Sequence, residues 1–216
     1  MLSLKWPGPA DGLKLLFLGA HCDDIEIGCG GTILRLMMEQ RIKEIYWVVF
    51  TSNPERKKEA LNSAFYFLSD FTSKRIEVKD LKDGFLPYQG VEVKNYFEEM
   101  KEFNPDVIFT HSHGDMHQDH RMINELTWNT FRNHLIVEYE IPKYDADLSH
   151  PNFFVPLKAA VVKKKIQGLQ TCFTSQTNKQ WFDEATFTAL LRLRGLECAS
   201  ETKFAEAFHV RKLTMD

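Results

Sequence analysis

Two short stretches hold most of the side chains able to do chemistry. The first is Ala20-His21-Cys22-Asp23-Asp24-Ile25-Glu26, continuing through Gly28-Cys29-Gly30-Gly31-Thr32. It sets an imidazole beside two adjacent carboxylates. Adjacent residues in an irregular loop point in different directions, so one carboxylate can ligate a metal while the other stays free as a base. The second stretch, His111-Ser112-His113-Gly114-Asp115-Met116-His117-Gln118-Asp119-His120, holds four of the eight histidines in ten residues. Two histidines and one carboxylate, with a position open for water, make a recognised catalytic zinc arrangement, and His21, Asp24 and His120 can supply it. Such a site can activate water at neutral pH, because zinc acidifies it to a pKa of roughly 7 and polarises a carbonyl. Gly28-x-Gly30-Gly31 does not fit a dinucleotide fingerprint, so these glycines read instead as close packing of a helix start against the first stretch.

These residues need elements to position them. An apolar run over 13–18 breaks at Gly19-Ala20 and reads as a strand, followed by a polar loop and a helix over 30–40. A second strand is expected over 45–50 and a second helix over 55–68, spaced by Ala60, Leu61, Ala64, Phe65 and Leu68. A strand over 75–78, a helix over 91–103, a strand over 107–110 after Asn104-Pro105, and a helix over 119–132 capped at or beside Asp119 complete the pattern. Alternating strands and helices imply an α/β fold of three layers, Rossmann-like, with a mostly parallel sheet covered on both faces. In the commonest doubly wound order the first and fourth strands are neighbours. Both stretches then converge at the C-terminal edge of the sheet, where ligands bind. Beyond Tyr139 the prolines at 142, 151 and 156 suggest a long functional loop. A strand over 157–162 with Lys163-Lys164-Lys165 at its solvated end, a helix over 182–194 stopped by Gly195, and an edge strand over 204–210 are expected after it.

Length and composition bound the function. The 216 residues suit one domain spanning 1–216, and 44% hydrophobic residues with 17 phenylalanines describe a globular core. A net charge of -3 gives no general field for nucleic acid or an anionic membrane, so a small substrate is expected. No stretch approaches the roughly 20 apolar residues of a membrane span, and the N-terminus lacks the apolar core of a signal peptide; a cytoplasmic location is expected. The four cysteines form no CxxC pair and are expected as reduced thiols.

The stretch AHCDDIEIGCGGT resembles the AHPDD-x-E-x-GCGGT signature of the LmbE/PIG-L deacetylases, and HQDH at 117–120 resembles their HPDH motif. The resemblance extends through about Trp128. It implies a Rossmann-like fold with one zinc ion, and removal of the N-acetyl group from an N-acetylated amino sugar or its conjugate, releasing acetate. It also implies that His21, Asp24 and His120 bind Zn2+, a site Fe2+ could equally occupy. Asp23 is then the general base, His117 an acid or oxyanion stabiliser, and Asp119 the partner orienting His117. Arg56, in Arg56-x-x-Glu59, would reach substrate hydroxyls, the alternative from the residues alone being an exposed helical pair with Glu59, and Phe204-Ala205-Glu206-Ala207-Phe208 is similar to a C-terminal family element. Cys22 stands where the family usually has proline: either an inert buried thiol or one sensitive to oxidation. The alternatives are a metallohydrolase of this fold acting on another amide and a non-catalytic metal- or sugar-binding protein. Whether the sugar is free, nucleotide-linked, lipid-linked or part of a thiol-cofactor precursor stays open, as does a homo-oligomer.

Overall fold

β1 (Leu13–Gly19) is buried at six of its seven positions, which a strand can be only when helices cover both faces of its sheet. The computed structural model describes residues 12–39, 42–69 and 71–214. In it β1 pairs in parallel with β2 (Ile42–Thr51) on one side and β4 (Val107–His111) on the other. The seven-stranded sheet has the order β3-β2-β1-β4-β5-β7-β6, with β3 (Lys74–Leu81), β5 (Leu135–Tyr139), β6 (Phe153–Pro156) and β7 (Ala205–His209). β7 runs opposite to the other six strands and is antiparallel to both of its neighbours, β5 and β6. The strand order reverses between β1 and β4, and the chain leaves both at the same edge.

Strand alternation divides the core in two. Phe17, Trp47, Phe109, Tyr139 and Phe208 face α1 (Asp24–Glu39), α2 (Pro54–Leu68), α5 (Ala159–Cys172) and α6 (Glu184–Glu197). Leu16, Leu18, Val48, Phe50 and Ile108 face α3 (Gly90–Met100) and α4 (Gln118–Thr130). No helix among the described residues is long and apolar enough to cross a membrane.

Several sequence expectations are corrected. α1 begins at Asp24 rather than Gly30, and kinks at Cys29 (φ -141°, ψ 15°). Past the kink, the amides of Gly31 and Thr32 donate to Glu206 Oε1 and Oε2 at 2.7 and 2.6 Å, so a carboxylate from β7 caps the second half of the helix. Gly31 permits this cap, since a Cβ there would lie 2.9 Å from Glu206 Oε1. The segment 157–162 is not a strand; Val161, Val162, Ile166 and Leu169 instead bury one face of α5. Lys165 is accordingly no solvated strand end but is buried, with Nζ 2.6 Å from Glu206 Oε1 and from Ile27 O. β5 and β6 were not expected, and β7 is internal rather than an edge. Gly195 lies inside α6, where a Cβ would meet the Lys203 carbonyl oxygen at 2.2 Å.

Candidate metal centre

The centre forms where β1 and β4 end side by side. Past Gly19 the chain turns through residues 20–23, pinned by Thr51, whose N–H and Oγ1 both donate to Ala20 O at 2.9 and 2.7 Å. Past His111 a loop leads into α4, with His117 as its N-cap: His117 Nδ1 accepts from the Asp119 N–H at 3.2 Å. His120 follows in the first turn of α4 and is buried.

His21, Asp24 and His120 come together. His21 Nδ1 lies 3.0 Å from His120 Nε2 and 3.3 Å from Asp24 Oδ2, and His120 Nε2 lies 3.5 Å from Asp24 Oδ2. Tetrahedral zinc with bonds of about 2.0–2.1 Å spaces its ligands about 3.3 Å apart, so these three donors fit the face of such a shell. Behind each imidazole stands a carboxylate. Asp115 Oδ2 is 2.8 Å from His120 Nδ1, while Asp83 Oδ1 and Asp119 Oδ2 are 3.1 and 3.3 Å from His21 Nε2. Such partners fix ring orientation and tautomer and strengthen the ligand. A second set, Asp24, His111 and His120, also lies within ligand reach of itself. There, however, His111 Nε2 already accepts the Ala20 N–H at 2.9 Å, and its ring is stacked flat on His120. His117 borders the same space, its ring edge-on to His21 at 4.8 Å between centroids.

The adjacent carboxylates are driven apart electrostatically. Burial raises Asp24, but the imidazoles of His120, His21 and His111 more than reverse this and hold it well below the carboxylate range. Burial pushes Asp23 up, and Arg56, with Nη2 2.9 Å from Asp23 Oδ1, only partly opposes it. Burial depresses His21 as well, yet Asp24, Asp119 and Asp83 outweigh it and set His21 well above its ordinary value. His120 falls to about 4, through burial and then the proximity of His111. Neighbouring groups pushed in opposite directions are a pattern of acid–base sites.

Asp23, Asp24, His117, Asp119, His21 and His120 therefore share one crevice. Two expected relationships take another form. The Asp119 carboxylate accepts from the Gly84 and Leu86 amides at 2.7 and 3.1 Å and faces His21, while a backbone amide orients the His117 ring. Arg56 Nη1 bonds Glu59 Oε2 at 3.1 Å, so with Nη2 on Asp23 the guanidinium bridges two protein carboxylates. Asp115, inside the second stretch, and Asp83, in an exposed loop after β3, join the centre as partners of His120 and His21 that no motif marks. The Cys22 thiol donates to Thr51 O and is pushed up to about 12 by burial, which suits an inert side chain.

Residues 16–131 match the PIG-L family, described as GlcNAc-PI de-N-acetylase. No curated protein matches the chain by sequence. Solved structures similar to it include N,N'-diacetylchitobiose deacetylase from Pyrococcus horikoshii, 20% identical, covering 93% of this chain and 84% of that one, with a TM-score of 0.73. The 4-carboxy-2-hydroxymuconate hydratase of Pseudomonas putida is 16% identical, covering 94% and 99%, with a TM-score of 0.73. A zinc-inhibited form of teicoplanin deacetylase is 14% identical, covering 94% and 100%, with a TM-score of 0.67. At these identities the likeness shows the fold. The family match spans more than half of the chain and contains both chemistry-bearing stretches: the chain belongs to the PIG-L (GlcNAc-PI de-N-acetylase) family.

Proposed function

We propose that the protein is a metal-dependent N-deacetylase that hydrolyses the N-acetyl group of an amino sugar or its conjugate and releases acetate. The observation that carries this is the triangle of His21, Asp24 and His120 donor atoms, 3.0–3.5 Å apart, beside a second carboxylate, Asp23, held outside it by Arg56. Those three residues would hold the ion, and Zn2+ suits two imidazoles and a carboxylate, with Fe2+ an alternative occupant. When bound, the metal supplies Lewis acidity, which lowers the pKa of water and polarises a carbonyl.

Asp23 takes the proton of the attacking water as oxygen bonds to the acetyl carbon, and delivers a proton to the amine as the C–N bond breaks. Its upward shift through burial lets it hold that proton between the two steps. His117 serves as a hydrogen-bond donor to the developing oxyanion. Because its Nδ1 accepts from the Asp119 amide, its proton sits on Nε2. Burial lowers its pKa and favours this neutral donor form. Asp115 and Asp119 orient the two imidazole ligands, and Arg56 orients Asp23.

The loops that bring Gly84 to Asp119 and Lys143 to Asp115 expose Phe85, Met116 and Tyr144, apolar surfaces suited to the C–H faces of a sugar ring. An amino-sugar substrate is further supported by the family description and by the deacetylases of this fold. A hydratase shares the fold, so the proposal rests on the site and not on the architecture. Acetate release from a panel of N-acetylated sugars, including N,N'-diacetylchitobiose, is expected with metal and abolished by a chelator. A metal-loaded protein that releases no acetate from any member of the panel would overturn the proposal.

A further inference from the structure

Glu138 of β5 and His209 of β7 are directly paired across antiparallel strands, so both side chains leave the same face of the sheet. His113, just beyond the end of β4, reaches the same place from the neighbouring strand. Its backbone N–H and its ring Nδ1 lie 2.9 and 2.6 Å from Glu138 Oε2. The His113 and His209 rings are 4.6 Å apart between centroids, and one donor atom from each of the three residues lies within 4.8 Å of the others. We propose that His113, Glu138 and His209 form a second divalent-metal site, separate from the catalytic centre and suited to Zn2+.

Three features point to an ion rather than to a plain ion pair. First, the two oxygens of Glu138 are divided: Trp128 Nε1 and Arg211 Nε hold Oε1 at 2.6 and 2.8 Å, which aims Oε2 at the two imidazoles. Fixing one carboxylate oxygen with outer donors is how ligand carboxylates are held in metal sites. Second, His209 Nδ1 is buried without a hydrogen-bond partner, and its 3.8 Å separation from Glu138 Oε2 is too long for a bond. A cation between the three residues would satisfy that nitrogen, and it would take the place of the proton that His113 Nδ1 and Glu138 Oε2 share at 2.6 Å, the two donors parting to ligand spacing as the proton leaves to solvent. Third, His113 is exposed, which gives a route of entry and room for water to complete the shell.

Two imidazoles and one carboxylate select a borderline ion such as Zn2+ over Mg2+ or Ca2+, which prefer all-oxygen shells. The charge of Arg211 offsets that of Glu138, so the imidazoles carry most of the affinity and the site is weaker than the catalytic one. None of the three residues belongs to the catalytic triangle. An ion here would tie β7 to the loop that carries His117 into α4.

The test is zinc content by elemental analysis after equilibration with Zn2+, comparing the full chain with His113→Ala/His209→Ala. The full chain is expected to carry one zinc more than the double variant, whatever the catalytic centre holds. Equal zinc content in the two proteins would overturn the proposal. Should the double variant not fold, His113→Ala alone, at an exposed position, is expected to lose the weaker of the Zn2+ binding events in a calorimetric titration. Retention of that event would equally overturn it.

Discussion

Arg56 and Asp23 form an ion pair, Nη2 to Oδ1 2.9 Å, with both side chains largely withdrawn from water. An opposite charge at this distance lowers a carboxylate pKa, here against the upward push of burial. Arg56→Gln is therefore expected to move the acidic limb of the kcat/KM profile to higher pH, because Asp23 must be ionised to accept a proton. Arg56→Lys should move it less. A raised KM with an unmoved limb would assign Arg56 to substrate hydroxyls instead.

Asp115 supports His120 through a 2.8 Å contact to Nδ1. Replacing it by asparagine removes the charge that makes the ligand basic, which costs about 10–100-fold in metal affinity. Competition against a chelator of known affinity measures this, and an unchanged affinity would show that Asp115 does not act through the metal.

His117→Ala should keep the metal and lower kcat by about 10²–10³-fold, as expected for the loss of one oxyanion donor. His117→Gln retains an N–H donor and should recover part of the rate, which a proton-transferring imidazolium would not allow. Loss of metal from His117→Ala would identify it as a ligand in place of His120.

Glu26 is buried beside Ser63, and burial raises its pKa to about 8 from an ordinary 4.5. Because the folded value exceeds the unfolded one, protonated Glu26 favours folding fully below about pH 4.5, and that contribution is lost progressively up to about pH 8. The change is on the order of a few kcal/mol. Thermal melts should show the stability of the wild type falling with pH across this window relative to Glu26→Gln. Parallel curves would mean that Glu26 does not titrate there.

The first two thirds of the fold was legible because local signals agreed. β1 and β4 are apolar runs closed by chemistry-bearing loops, and Asn53-Pro54 and Asn104-Pro105 mark boundaries. Past residue 132 the deciding contacts are distant. Val161-Val162 resembles a strand locally, and helix α5 follows from packing against α1 and α2. β7 is internal only because β5 and β6 flank it, which no local pattern announces. The two motifs named the residues of the crevice, whereas their partnerships came from the fold. Asp119 faces His21 across the β1–β4 crevice, and Arg56 reaches Asp23 from the next β-α unit.

In the proposed mechanism adjacent carboxylates divide the work, Asp24 holding the metal and Asp23 carrying protons. Metal content by elemental analysis, read alongside acetate release across a Zn2+ titration, tests it directly in Asp23→Asn and Asp24→Asn. Asp23→Asn should keep the metal and lose most turnover at every zinc concentration, since an amide cannot accept the proton. Asp24→Asn should bind metal weakly, because it replaces an anionic ligand with a neutral one, and should regain part of its activity in excess zinc. An Asp23→Asn protein that loses the metal beside an Asp24→Asn protein that keeps it would contradict the account.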